Sequence, residues 1–170
     1  MIDQIGLGGG CHWCTEGVFQ SLIGIEEVKQ GWISSKEKTT FSEAVLITFD
    51  TEIISIKDLI EIHLYTHAST SSHSFREKYR TSVYTFSENQ KKESEAVIQQ
   101  LQAHFEEEII TKVLTFNEFK LNKEDQLNYL YSRKDNQFCT RYIHPKLSLL
   151  MSRFSDKVNK DKLQQIESQN

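Results

Sequence analysis

The 170-residue chain is poor in proline and cysteine and has no excess of basic residues. Its three cysteines, Cys11, Cys14 and Cys139, are too few for a disulfide scaffold, so we expect structural, catalytic or metal-binding thiols in a reducing compartment. Twenty basic residues against 24 acidic ones give a formal net charge of −4. Because nucleic-acid binding relies on positive charge, no nucleic-acid partner is expected.

Long hydrophobic runs are also absent. No stretch approaches the roughly 20 apolar residues that are needed to span a bilayer. The opening residues, MIDQIGLGGG, lack the basic and apolar segments of a secretion signal. We therefore expect a cytoplasmic protein without membrane contact. The length predicts one domain, residues 1–155, followed by a polar tail, residues 156–170, that frays.

Hydrophobic periodicity predicts strands and helices in alternation. The predicted strands are residues 5–8, 28–33, 43–49, 79–86 and 113–116. The predicted helices span about residues 15–23, follow the N-cap signatures at Ser55 and Ser87, and start near Pro145. This order predicts an α+β fold: a ferredoxin-like two-layer sandwich with a mixed, mainly antiparallel sheet and a C-terminal helical extension.

The stretch GLGGGCHWCTEGVF, residues 6–19, places two cysteines behind three glycines where a helix is expected to begin. Glycines let the backbone adopt positive φ and approach a ligand closely. A helix start adds free N–H groups and the positive end of the helix dipole, which together favour the thiolate form of a cysteine. The alternative is a tight turn followed by two buried, inert cysteines.

These residues resemble the A-type peptide methionine sulfoxide reductases, which typically carry a glycine-rich stretch, a cysteine, an aromatic pair and a helical glutamate. The similarity continues in the segments SEAVLITFD, KYRTSVYTFSENQ and NQFC, and covers roughly residues 5–155 in the family's order. The resemblance implies a thiol-dependent oxidoreductase that reduces methionine-S-sulfoxide, in peptides or free, to methionine. It also implies that no metal or organic cofactor is bound.

The resemblance implies roles for single residues. Cys11 matches the nucleophile that attacks the sulfoxide sulfur, and Glu43 matches the acid that protonates the departing oxygen. Tyr79 matches the hydroxyl that binds this oxygen, and Trp13 matches the indole that holds the S-methyl group. Burial of a carboxyl group against an aromatic pocket favours its protonated form. Glu16, one turn into the helix, is expected to complement the helix dipole.

A sulfenic acid left on Cys11 has to be reduced by a second thiol. The chain offers Cys14, three residues away, and Cys139, in a predicted loop after a helix that ends near Ser132. The short separation favours Cys14, whereas the resemblance favours Cys139, which matches the recycling cysteine of the family. We expect Cys139 to resolve the sulfenic acid, with Cys14 as a relay and thioredoxin or another dithiol as the reductant. A monomer is expected.

Three positions depart from the family's pattern. His12 stands where the family usually has phenylalanine, Trp32 where it often has tyrosine, and Ser74 where it has an acidic residue. Together with Trp13, these residues are expected to bind the substrate, and His12 could also support formation of the thiolate. The departures leave open a degenerate reductase that binds oxidised methionine or a partner protein without turnover.

Two other classes share part of this pattern. A C-x-x-C pair at a helix start is also found in thioredoxin-like oxidoreductases, but that fold needs a cis-proline near the site, and Pro145 lies beyond the last predicted strand. A structural zinc site needs four ligands, and Cys139 has only His144 nearby in sequence. Neither class accounts for Glu43 and Tyr79.

Overall fold

The computed structural model describes residues 1–71, 78–133 and 135–167. Its strands are β1 (Ile2–Gly8), β2 (Ile25–Ser35), β3 (Ser42–Asp50), β4 (Ser82–Thr85) and β5 (Lys112–Leu121). Its helices are α1 (His12–Gln20), α2 (Ile56–Tyr65), α3 (Glu88–Leu101), α4 (Tyr129–Ser132), α5 (His144–Arg153) and α6 (Lys160–Glu167). A π-helical turn, Cys139–Ile143, runs directly into α5. None of the helices in the described ranges is long and apolar enough to cross a membrane.

The five strands form a closed barrel in the order β1-β3-β2-β5-β4, and β4 pairs with β1 to close it. Neighbouring strands are antiparallel except for the parallel pair of β4 and β5. The mixed sheet with separate helices confirms the predicted α+β class. The ferredoxin-like two-layer sandwich is not confirmed, because the sheet closes into a barrel: β5 pairs with both β2 and β4 and thereby joins the two edges that a sandwich leaves open.

A glycine turn connects β1 to α1 and sets the position of Cys11. Gly9 has a φ of +144°, and a Cβ atom there would lie 2.6 Å from the ring of His67, so only glycine fits. Cys11 is the N-cap of α1, and its carbonyl accepts a hydrogen bond from the Thr15 N–H at 3.1 Å. The helix therefore begins at His12, one turn before the predicted start near Thr15.

The main hydrophobic core lies between the sheet and the helices. Members from five elements are Leu7, Val18, Ile47, Leu59 and Leu150. A second, smaller cluster joins four strands and consists of Ile33, Ala44, Tyr84 and Leu114. Because a Cβ atom on Gly6 would lie 2.8 Å from the Ile33 side chain, this second cluster leaves no room for a side chain on β1 inside the barrel.

Several helix starts follow their sequence signals. Ser55 and Asp58 form the predicted capping box at the start of α2, and Ser87 accepts the Gln90 N–H at the start of α3. Pro145 lies in the first turn of α5, as predicted. The predicted strand 79–86 is wrong at its start, because β4 begins only at Ser82 and Tyr79 lies in the segment before it.

The C-terminal segment packs on the core instead of fraying. Val158 forms a β-bridge with Leu22 and is 4% exposed, and Leu163 on α6 is 5% exposed. The expectation of a frayed tail is wrong for these residues, because two apolar side chains in an otherwise polar stretch are enough to hold it against the main core.

Candidate active site

The Cys11 side chain lies at the N-terminus of α1 and is partly exposed. The Cys14 thiol donates a hydrogen bond to the Cys11 sulfur, and this bond lowers the pKa of Cys11 most. Burial and the charge of Glu43 act against this shift, whereas the N–H groups of Trp13 and Cys14 reinforce it. The same thiol–sulfur bond, with burial, strongly raises the pKa of Cys14. The pair therefore favours the thiolate form on Cys11 and the thiol form on Cys14.

Glu43 lies on β3 opposite Trp32 of β2 and is 4% exposed. Its Oε1 atom lies 3.2 Å from His12 Nε2 and accepts the His12 backbone N–H at 3.4 Å. Its Oε2 atom lies 3.5 Å from Nζ of Lys78, a largely exposed side chain. The predicted acid is therefore buried. It lies near Cys11 along the chain of contacts, because it contacts His12, the residue that follows Cys11.

His12 is buried next to Glu43. Its Nδ1–H donates to the carbonyl of Gly31 at 2.9 Å, and its ring meets that of Trp32 edge-on with centroids 5.1 Å apart. Burial lowers the pKa of His12. His12 therefore places a polar side chain next to the acid, because Glu43 Oε1 lies 3.2 Å and the Asn122 amide nitrogen 3.3 Å from Nε2.

Trp13 is fixed by two further aromatic rings. It stacks on Tyr129 with centroids 4.2 Å apart and meets Phe138 edge-on at 5.3 Å. Glu16 secures this arrangement, because its carboxylate accepts the N–H groups of Asn128 at 3.0 Å and Tyr129 at 2.9 Å. Burial raises the pKa of Glu16. The expectation that Glu16 complements the helix dipole is wrong, since it instead ties α1 to the segment that starts α4.

A cavity of about 440 Å³ collects most of the predicted residues. Its lining includes His12, Trp13, Trp32, Glu43 and Tyr79. Cys11 adjoins this cavity through the two residues that follow it in the chain. Ser74 and His73 lie outside the described residues. Across the part of the chain that is described, no three His, Cys, Asp or Glu side chains come together as metal ligands.

The model of the peptide methionine sulfoxide reductase family matches residues 3–160. The chain belongs to this family. It is 34% identical to the peptide methionine sulfoxide reductase MsrA of Trichodesmium erythraeum over 176 residues, which covers 94% of this chain and 99% of that protein. It is thus an oxidoreductase for methionine sulfoxide.

Solved structures agree on the fold. The reduced form of Mxr1 from Saccharomyces cerevisiae has a TM-score of 0.73 at 20% identity, covering 81% of this chain and 89% of that one. Mxr1 in complex with Trx2 has a TM-score of 0.61 at 20% identity, covering 74% and 83%. The family membership also removes the thioredoxin-like and zinc-site alternatives for the C-x-x-C pair.

The third cysteine of this reductase is fully buried. Cys139 opens the π-helical turn before α5 and belongs to the same core cluster as Cys14, close enough for the two thiols to interact electrostatically. Burial raises the pKa of Cys139 to about 11. The predicted loop is wrong at this residue, because Ile143 and its neighbours continue the turn into a helix whose apolar face packs on α1.

Sequence reasoning missed the residues that support the predicted ones. Tyr129 belongs to no recognisable motif, and Asn122 follows a strand without a turn signature. Phe138 lies in the segment NQFC, but nothing in that segment indicates a contact with Trp13. Lys78 could have been singled out, because it directly precedes Tyr79 and a cation there is within reach of an acid on a neighbouring strand. The contact of His12 with Gly31 leaves no trace in the sequence, since it depends on the packing of α1 on β2.

Proposed function

We propose that this reductase acts on the S epimer of methionine sulfoxide, free or in peptides, with Cys11 as the nucleophile and Glu43 as the proton donor. The observation that carries the proposal is a thiol with a lowered pKa next to a buried carboxyl group and an aromatic cavity. These are the three features that sulfoxide reduction needs: a thiolate, an acid and an apolar wall for the methyl group.

The reaction balances with one proton. The Cys11 thiolate attacks the sulfoxide sulfur while Glu43 gives its proton to the oxygen. The sulfur–oxygen bond of the substrate breaks, the hydroxyl ends on Cys11 as a sulfenic acid, and methionine leaves. The substrate sulfur gains the two electrons that the Cys11 sulfur loses.

The cavity supplies the binding contacts in this proposal. Trp13 and Trp32 offer apolar faces to the S-methyl group, and sulfur–ring contacts add to this attraction. The stack on Tyr129 keeps Trp13 in place without the substrate, so little side-chain entropy is lost on binding. Tyr79 lines the same cavity and would donate its hydroxyl proton to the sulfoxide oxygen.

For the return to the thiol, we propose Cys139 as the resolving cysteine and Cys14 as a relay. The Cys14 thiol already contacts the Cys11 sulfur, and Cys139 packs in the same cluster as Cys14. A disulfide needs Cα atoms roughly 4.4–6.8 Å apart. Cys139 can therefore form one only when the turn that carries it brings its Cα atom within this distance of the partner cysteine. A thioredoxin or a similar dithiol would then reduce the disulfide, a partner that the Mxr1–Trx2 complex supports.

The same proposal covers the remaining properties. Because three free thiols suit a reducing compartment, we propose a cytoplasmic location. We also propose a monomer without a bound metal or organic cofactor, since thiols alone can carry the two electrons. All the site residues named here lie within residues 1–155, which we propose as the reductase domain.

The nucleophile is tested with the two epimers of a methyl sulfoxide peptide and dithiothreitol as reductant. Wild type should reduce the S epimer, and Cys11→Ser should abolish this activity. Cys139→Ser is the matched control, because its first turnover should be intact. Comparable activity in Cys11→Ser would refute the assignment, and tight binding by wild type without reduction would identify a degenerate reductase.

The resolving thiol is tested on the reduced protein after one equivalent of substrate. Free thiols are blocked, and the disulfide is mapped by mass spectrometry. A bond that includes Cys139, together with loss of thioredoxin-dependent turnover in Cys139→Ser, supports the proposed order. A Cys11–Cys14 bond with Cys139 alkylated, and normal thioredoxin-dependent turnover in Cys139→Ser, would make Cys14 the resolving thiol.

A further inference from the structure

The hydrogen bonds of His12 determine which ring nitrogen carries a proton. Nδ1 lies 2.9 Å from the carbonyl oxygen of Gly31, which can only accept, so Nδ1 is the donor. The amide nitrogen of Asn122 lies 3.3 Å from Nε2. That amide is oriented, because its oxygen accepts the Lys123 N–H at 2.8 Å and its nitrogen donates to Gln30 at 2.6 Å. Asn122 therefore presents only a donor to Nε2, so Nε2 carries its single lone pair and the imidazole is neutral.

This lone pair faces a second acceptor. Nε2 of His12 lies 3.2 Å from Oε1 of Glu43, and each of the two side chains is 6% exposed. An unprotonated nitrogen and an ionised carboxylate repel each other at this distance, and buried groups are poorly screened. The geometry is therefore favourable only when one proton lies between the two atoms.

The charges around the pair act in different directions. Lys78, on the segment before β4, lies 3.5 Å from the other carboxylate oxygen and attracts the ionised form. Lys123 and Asp125, after β5, line the same cavity with opposite charges. On the α1 side, Cys11 interacts unfavourably with the Glu43 charge when both are ionised. His12 is the neutral group in this set, and its Nε2 atom lies closest to the acid, at 3.2 Å from Oε1.

We propose that His12 and Glu43 share one proton and that His12 is a positioning residue, which keeps this proton on the acid next to the substrate. The inference rests on the proposed reduction of methionine sulfoxide. In that step the shared proton moves from Glu43 to the departing oxygen, while the Cys11 thiolate becomes the sulfenic acid. The pair is left as a carboxylate opposite an imidazole lone pair, and this unfavourable arrangement draws a proton from solvent before the next turnover.

The test is the pH dependence of single-turnover reduction of a methyl sulfoxide peptide. Deprotonation of Cys11 raises the rate as the pH rises, whereas loss of the shared proton lowers it, so the alkaline limb reports the pair. In His12→Asn, which can keep the contact to the Gly31 carbonyl but places no proton acceptor at the position of Nε2, we expect this limb to move acidward by about one pH unit. At pH values above the limb, the rate should then be about tenfold lower than in wild type. Lys78→Met should move it in the opposite direction.

Two further variants separate proton sharing from packing. His12→Gln keeps a polar contact to Glu43 but cannot take up the proton, so it should also show the displaced limb. His104→Phe is the matched control, because His104 is exposed and does not line the cavity, and it should keep the wild-type profile. An unchanged alkaline limb in His12→Asn or a wild-type limb in His12→Gln would overturn the inference while the reductase activity stands.

A measurement without substrate covers the case in which His12→Asn fails to fold. In protein labelled with ¹⁵N-histidine, His12 should show a protonated Nδ1 and an Nε2 resonance shifted toward the protonated form. In Glu43→Gln this Nε2 shift should diminish. A protonated Nε2 with a bare Nδ1, or identical Nε2 shifts in the two proteins, would refute the shared proton. Absence of sulfoxide reduction in wild type would instead refute the proposed function.

Discussion

Replacement of Cys14 by alanine tests how the structure makes Cys11 reactive. The Cys14 thiol is the strongest influence that lowers the pKa of Cys11, ahead of the backbone N–H groups at the helix start. Cys14→Ala removes this donor and should raise the pKa of Cys11 toward that of an ordinary cysteine. Because Cys14 is a small, 6% exposed side chain in the core, its truncation should leave the fold intact.

The expected size of the effect follows from the hydrogen bond. A hydrogen bond to a charged group contributes roughly 1.5–3 kcal/mol, and the lower end applies because Cys11 is partly exposed to water. About 1.4 kcal/mol corresponds to a factor of ten, so the thiolate population at mildly acid pH should fall about tenfold. At alkaline pH, where Cys11 is ionised in both proteins, the difference should disappear.

The assay is the rate of Cys11 alkylation by iodoacetamide as a function of pH, followed on the Cys11 peptide by mass spectrometry. Cys14→Ser should lie between wild type and Cys14→Ala, since a hydroxyl also donates. Cys139→Ala is the matched control, because Cys139 does not contribute to the pKa shift of Cys11. Superimposable profiles for wild type and Cys14→Ala would refute the reasoning and leave the helix start as the source of reactivity.

Three further substitutions test other parts of the site. Glu43→Gln should slow the reductive step by about 10²-fold or more in single-turnover kinetics, and a wild-type rate would mean that the proton comes from elsewhere. Glu16→Gln puts an amide NH₂ opposite the backbone N–H groups of Asn128 and Tyr129. The unfolding free energy from urea denaturation should therefore fall by about 1–3 kcal/mol. An unchanged midpoint would show that Glu16 does not stabilise the contact between α1 and α4. Gly31→Ala would place a Cβ atom 1.9 Å from the Lys120 carbonyl oxygen. Thermal unfolding should therefore show a free energy of unfolding that is lower by about 1–3 kcal/mol. Wild-type stability would refute the close approach of β2 and β5.

The local parts of the fold could be predicted from the sequence, but the closure of the barrel could not. The capping box at Ser55 and the proline turn at Pro145 are read from neighbouring residues, and both are present. By contrast, β5 pairs with β2 and β4, and the Gly31–Leu121 pair joins residues far apart in the chain. Hydrophobic periodicity identifies a strand but carries no information about its partners, so an open sheet and a closed barrel look alike.

The same distinction applies to the site. The glycine turn and the helix start are adjacent in sequence and point to the two cysteines, whereas the resemblance alone assigns roles to Cys11 and Glu43. Their partners are long-range: Oε1 of Glu43 meets a residue 31 positions away, and His12 reaches Asn122 across 110 positions. Single-sequence patterns cannot reveal such pairs, since a buried glutamate and an exposed one have the same spacing along a strand.

The placement of the functional groups separates the two halves of the proposed cycle. The proposed acid lies on the barrel, where β3 holds Glu43 and β2 supplies the Gly31 carbonyl for His12. The proposed recycling thiols lie on the helical side, where Cys14 and Cys139 share the main core. Cys11 stands at the junction, on the turn between β1 and α1. A movement of the Cys139 turn during disulfide formation can therefore leave the strands that hold the acid unchanged, so that the site is ready for substrate once the thiols are reduced.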